Sequence, residues 1–174
     1  MLFRGCGMIK KILFATDLGA FTAHALLHVE SLSRKCNAQI CLLHAVPPLE
    51  EFTQAIINSY CSESVKQEIL QAKGIDGLLE SLRDQVYEKI AANRLIDDDL
   101  LSRISEVLVV TGNPAKVILV EAERVHADLI VMGSHGSQAL CSQVLGSVTT
   151  RVLQLAKVPV LMIPMMSPSV LQGR

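Results

Sequence analysis

The chain alternates short apolar runs with amphipathic stretches. Lys11-Ile12-Leu13-Phe14-Ala15-Thr16 and Ile40-Cys41-Leu42-Leu43-His44-Ala45-Val46 are nearly continuous hydrocarbon, the pattern of strands covered on both faces. Between them, residues 20–35 place Phe21, His24, Ala25, Leu27, His28, Ser31 and Leu32 at three- and four-residue spacing, which predicts a helix with a small-residue face. Pro47-Pro48 ends the second strand. Glu106-Val107-Leu108-Val109-Val110 predicts a third strand, and in the following Thr111-Gly112-Asn113-Pro114 the Asn can cap a helix whose first position suits Pro. That helix extends to His126. A fourth strand centres on Ile130, a helix is predicted over Ser147–Leu155, and a fifth strand over Val158–Ile163, with Pro159 and Pro164 at its ends.

Strands alternating with helices call for a parallel sheet with right-handed crossovers. Ligands of such sheets sit beyond the C-terminal strand ends, where the strand order reverses. Residues 50–101 hold two helical patterns and no convincing strand, so a long helical crossover is predicted there. Within it Asp97-Asp98-Asp99 reads as a solvated helix end or cap, because three consecutive carboxylates cannot all converge on one ion from a helix. No metal site is assigned. The expected organisation is a flexible leader at 1–8, with Met8 as an alternative start, a single α/β domain at 9–164, and a flexible tail at 165–174.

Composition narrows the function. Sixteen Lys+Arg against seventeen Asp+Glu give a net charge of -1, which offers no electrostatic footprint for nucleic acid. No stretch is apolar for the length of a membrane span, and the first residues do not form a signal peptide. Five cysteines without a CxxC pair suit a reducing cytoplasm.

The chemistry concentrates near the C-terminal end. The strand Leu129-Ile130-Val131-Met132 runs into Gly133-Ser134-His135-Gly136, and after nine residues comes Gly146-Ser147-Val148-Thr149-Thr150. Glycines there let the backbone pass close to a ligand, and a helix start presents N–H groups to an anion. Asp17, just past the first strand, can accept from a ribose hydroxyl or a base N–H, or cap the following helix. Thr16 and Ala45 can frame a flat ring with backbone groups. Ser147 and Thr149 offer hydroxyls to phosphate, although Ser147 also suits an N-cap; His135 can touch phosphate or ribose. His24 and His28, four residues apart, read as packing. The loop is not a P-loop: it lacks Gly-Lys-Ser/Thr, and no Lys or Arg lies between Gly136 and Gly146.

These residues resemble the universal stress protein family. The resemblance rests on Lys11-Ile12-Leu13-Phe14-Ala15-Thr16-Asp17, on Gly112-Asn113-Pro114-Ala115, on Ala127-Asp128-Leu129-Ile130-Val131-Met132-Gly133, on the Gly133, Gly136, Gly146-Ser147 spacing, and on Val158-Pro159-Val160-Leu161. It implies an open five-stranded parallel sheet in the order 3-2-1-4-5 with helices on both faces, the adenine nucleotide alpha hydrolase-like fold. It also implies binding of ATP, or of AMP or ADP, with Mg²⁺ or Mn²⁺ held through the phosphates. Adenine is placed near Ala15, Thr16, Asp17, Ala45, Val131 and Met132, the ribose and phosphates along Gly133, His135 and Gly136, and the phosphate chain against Gly146, Ser147, Val148 and Thr149. Family members commonly dimerise through the last strand, here Val158–Ile163, whose apolar edge supports the same expectation. Where several members carry proline this chain has Ala15, and it lacks the basic residue often found after Gly136. Three functions follow: a regulatory adenine-nucleotide-binding protein, a slow Mg²⁺- or Mn²⁺-dependent ATPase, or a nucleotide-independent module for an unknown protein partner.

Overall fold

The computed structural model describes residues 9–19, 21–46, 83–84, 98–135 and 145–164. The expected leader at 1–8, the tail at 165–174, Gly136 with most of its loop, and nearly all of the 50–101 crossover lie outside the described residues. Described elements run in the order β1 (Lys11–Ala15), α1 (Thr22–Cys36), β2 (Gln39–Val46), α2 (Asp98–Arg103), β3 (Ile104–Thr111), α3 (Pro114–Arg124), β4 (Leu129–Gly133), α4 (Ser147–Leu155) and β5 (Val160–Ile163).

All five strands pair in parallel in the order β3-β2-β1-β4-β5. Two-residue periodicity divides the core into two layers. Ile12, Phe14, Ile40, Leu42, Leu129 and Val131 meet Ala25, Leu26 and Val29 of α1 and Leu100 of α2. On the other face Leu13, Cys41, Leu43, Ile130 and Met132 meet Ala115, Ile118 and Ala122 of α3 and Val152 of α4. Covered strands therefore read as continuous apolar runs, and small residues such as Ala25, Ala115 and Ala122 let helices lie close on the sheet.

Local chemistry fixes the element ends. Asn113 caps α3, its side chain accepting from Lys116 N–H at 3.2 Å, with Pro114 at the start of the helix. Asn37 closes α1 in the left-handed conformation at φ 50, and its N–H reaches the Arg34 carbonyl. The Asp128 carboxylate accepts the Lys10 and Lys11 N–H groups at 2.9 and 3.0 Å, anchoring the entry of β1 beside that of β4. Asp99 contacts both Arg34 and Arg103 at 3.1 Å, so its carboxylate ties α2 to α1.

Some boundaries differ from expectation. β3 begins at Ile104, two residues early, because the β2 ladder continues through a register shift between Ile40 and Cys41. β5 begins at Val160; Pro159 contributes its carbonyl to Ile130 N–H at 3.0 Å but has no N–H to return. Asp17 does not cap α1, whose N-cap is Phe21.

Candidate functional site

The strand order reverses at β1, whose neighbours are β2 and β4. Crossovers on opposite faces part there and leave a crevice above the C-terminal strand ends. A cavity of about 630 Å³ occupies this place, a volume in the ordinary range for a small-molecule ligand.

Its floor comes from the ends of β1, β2 and β4: Ala15, Thr16, Asp17, Ala45, Met132 and Gly133 all line it. β1 leaves the sheet through a tightly bonded turn. Thr16 N–H makes the final rung to the Leu43 carbonyl at 2.9 Å. Thr16 Oγ1 then accepts Leu18 N–H at 3.1 Å and pairs with Thr22 Oγ1 at 2.8 Å, while Asp17 Oδ1 accepts Gly19 N–H at 2.9 Å. Leu18 sits in the left-handed region at φ 58, so the chain swings sharply away from β2. Main-chain groups two residues apart on a strand face the same side, and Leu43 faces β1; the Ala45 N–H and carbonyl therefore point toward the place β1 has just vacated. A continuing ladder would bring Leu18 N–H to the Ala45 carbonyl, but Thr16 Oγ1 takes that N–H instead.

The far wall is the start of α4. Its N-cap is Gly146, at φ -60 and ψ 150, which brings no side-chain acceptor to the first-turn N–H groups. Gly146, Ser147, Val148 and Thr149 line the cavity, so the positive end of the helix dipole borders it. Gly146 N–H donates to the Ser134 carbonyl and Ser134 N–H to that of Ile163, each at 3.0 Å, which binds the loop after β4 to both α4 and β5. Ser147 is exposed and stands at the first helical position, not at the cap. Thr149, whose hydroxyl was expected from sequence to offer itself to phosphate, is buried, and that hydroxyl donates to the Gly133 carbonyl at 3.0 Å. His135 lines the cavity with Nδ1 3.0 Å from Ser134 Oγ.

Val131 is the expected site residue that stands apart. It is fully buried against the α1 layer and does not line the cavity, because period-two alternation turns it away from Met132. Conversely, the first turns of α1 contribute Phe21, Thr22 and His24, and α3 contributes Pro114 and Ile118, none of them selected from sequence. His24 meets His28 edge-on at 4.8 Å between ring centroids. The ionisable side chains among the described lining residues are Asp17, His24 and His135. No group of three or more His, Cys, Asp or Glu able to hold a metal ion occurs among the described residues.

The universal stress protein family model matches residues 8–164 of this sequence. The chain belongs to the universal stress protein family. Universal stress protein MJ0577 of Methanocaldococcus jannaschii is 29% identical over 164 residues, spanning 90% of this chain and 95% of that protein. Universal stress protein YxiE of Bacillus subtilis is 30% identical over 162 residues, spanning 90% and 99%. The solved structure of MJ0577 superposes with a TM-score of 0.65 at 26% identity, covering 92% of this chain and 99% of that one. An Arabidopsis thaliana universal stress protein family member, crystallised with AMP bound, shares the fold at a TM-score of 0.55 and 19% identity, covering 92% and 94%.

Proposed function

We propose that this universal stress protein binds an adenine nucleotide, ATP foremost, and acts through that binding as a cytoplasmic regulatory protein of the stress response. The observation that carries the reading is the opposition, across one cavity, of a base-sized slot and an anion site. At the slot, Ala45 directs main-chain groups past the last rung of β1, beside Asp17 and Met132. On the opposing wall stand Gly133 and the N-terminal turn of α4. Adenine offers an exocyclic amino group and a ring nitrogen as neighbouring donor and acceptor, the complement of a strand carbonyl and N–H. The Asp17 carboxylate suits a ribose hydroxyl, and the α4 N–H groups suit phosphate oxygens. The AMP bound by the Arabidopsis relative supports the same ligand class. Any Mg²⁺ or Mn²⁺ would be held mainly by the phosphates.

Calorimetric titration with ATP, ADP, AMP and cyclic AMP tests the proposal. Saturable binding of one equivalent is expected, weakened at least tenfold by Gly133→Val, which adds a branched side chain at the turn between the two halves of the site. Absence of binding by the folded protein to all four nucleotides would overturn it.

A further inference from the structure

The turn that opens the base slot is held from another strand by one side chain. His44, half-buried on β2, places Nδ1 2.9 Å from the Thr16 carbonyl oxygen. A carbonyl only accepts, so this nitrogen carries the proton. The contact is therefore compatible with either charge state of the ring. Past the last rung, Thr16 N–H to the Leu43 carbonyl, the other bonds described at this turn, Thr16 Oγ1 to Leu18 N–H and to Thr22 Oγ1, and Asp17 Oδ1 to Gly19 N–H, are local, between residues no more than six apart. They shape the turn but do not set its position relative to β2. Beyond the Thr16 N–H rung, the imidazole of His44 reaches across to do so, from the residue next to Ala45, and it holds the carbonyl side of Thr16.

We infer that His44 is a positioning residue for base recognition: by holding the Thr16 carbonyl it keeps β1 turned out of the ladder, so that the Ala45 carbonyl meets the 6-amino group of a purine. This rests on the nucleotide-binding reading above and adds to it the element that distinguishes a 6-amino from a 6-oxo purine. Without the imidazole, the turn can relax toward β2 and Leu18 N–H can return to the Ala45 carbonyl as in a continuing ladder. The slot then loses its acceptor for the amino group. The phosphate end, built by Gly133 and α4, does not depend on this bond.

The test compares ATP with inosine triphosphate, which differs at the base in carrying a 6-oxo group, and ATP with AMP, which differs in phosphate number. Affinities are measured for the wild type, His44→Leu and His44→Asn, the last keeping a donor near the Nδ1 position. For His44→Leu we expect ATP affinity to fall about five- to tenfold, the scale of one lost hydrogen bond. Its preference for ATP over inosine triphosphate should fall by a similar factor while its ATP-to-AMP ratio stays at the wild-type value; His44→Asn should restore most of the base preference. Unchanged base preference in His44→Leu, or an equal loss in both ratios, would overturn the inference. Nitrogen-15 spectra of the wild-type imidazole give a second check that needs no variant: a proton on Nδ1 is expected, and a neutral ring protonated only at Nε2 contradicts the positioning bond. Wild-type protein that binds no adenine nucleotide defeats the functional proposal itself, whereas wild-type binding with an indifferent His44 defeats this inference alone.

Discussion

Single residues hold the site through bonds that composition does not reveal. Gly112 has φ +145, a conformation open to glycine, and a Cβ there would stand 3.0 Å from Val117 Cγ2. Gly112→Ala should therefore destabilise the protein by about 1–3 kcal/mol, measured by urea unfolding. Cys41 is fully buried in the α3 layer, and burial, reinforced by the nearby Glu106 carboxylate, pushes its thiol from the ordinary value of 9.0 up to about 12. Two consequences are testable. Folded protein at pH 8 should leave Cys41 unmodified by iodoacetamide in peptide mapping, and unfolded protein should not. Because the unfolded thiol loses its proton near pH 9 while the folded thiol keeps it to about 12, this group's contribution is intact below that window and declines as pH rises through it. Cys41→Ala should flatten that part of the alkaline stability profile, whatever it does to stability at neutral pH. The residues of the first turns of α1 show where sequence reading stops. Phe21, Thr22 and His24 have the spacing of a sheet-facing helix, yet they sit where α1 passes the ends of β1 and β4 and so also line the cavity. Periodicity gives a helix its faces but not its height against the sheet.

At the scale of elements, α4 and α3 were the most legible. Ser147–Leu155 was readable at both ends, and Asn113-Pro114 announced the start of α3 through cap chemistry that operates within four residues. Asn113→Ala should cost about 1 kcal/mol and lower the melting temperature by about 2–4 °C in a domain of this size, read by calorimetry. Strand pairing was different in kind. The joining of β1 to β4, anchored by Asp128 from 117 residues away, leaves no periodic trace in either strand, and the order 3-2-1-4-5 was implied by family resemblance rather than by pattern. The early start of β3 was likewise hidden, because Ile104-Ser105, set between Arg103 and Glu106, shows no covered-strand run and is recruited by the bulged ladder with β2. As a partly exposed edge, β5 has Leu161 41% accessible. We propose that it pairs with its symmetry mate in a homodimer. Leu161→Lys should then shift the light-scattering mass from two chains toward one while nucleotide affinity changes less than twofold; a wild-type mass of one chain across micromolar concentrations would rule the dimer out.

Across the whole molecule, the parallel sheet, with its reversal of strand order at β1, creates the crevice, and residues distant in sequence equip it: Thr16 and Asp17 just past β1, Ala45 from β2, Gly133 at the end of β4, and the first turn of α4. The wall of Gly133 and α4, where we propose the phosphates lie, was the more legible half, since turn glycines and helix starts are local signals. The base half was less so, because the released groups of Ala45 depend on how β1 turns away, and that turn is bonded through Thr16, Thr22 and His44 together. We propose that these two halves receive one adenine nucleotide. A crystal structure of the protein grown with ATP decides this. The purine is predicted against Ala45 with its amino group facing the Ala45 carbonyl, the ribose beside Asp17, and phosphate oxygens on the N–H groups of Ser147, Val148 and Thr149. Nucleotide density elsewhere on the molecule, or an empty crevice at saturating ATP, would rule out this crevice as the nucleotide site.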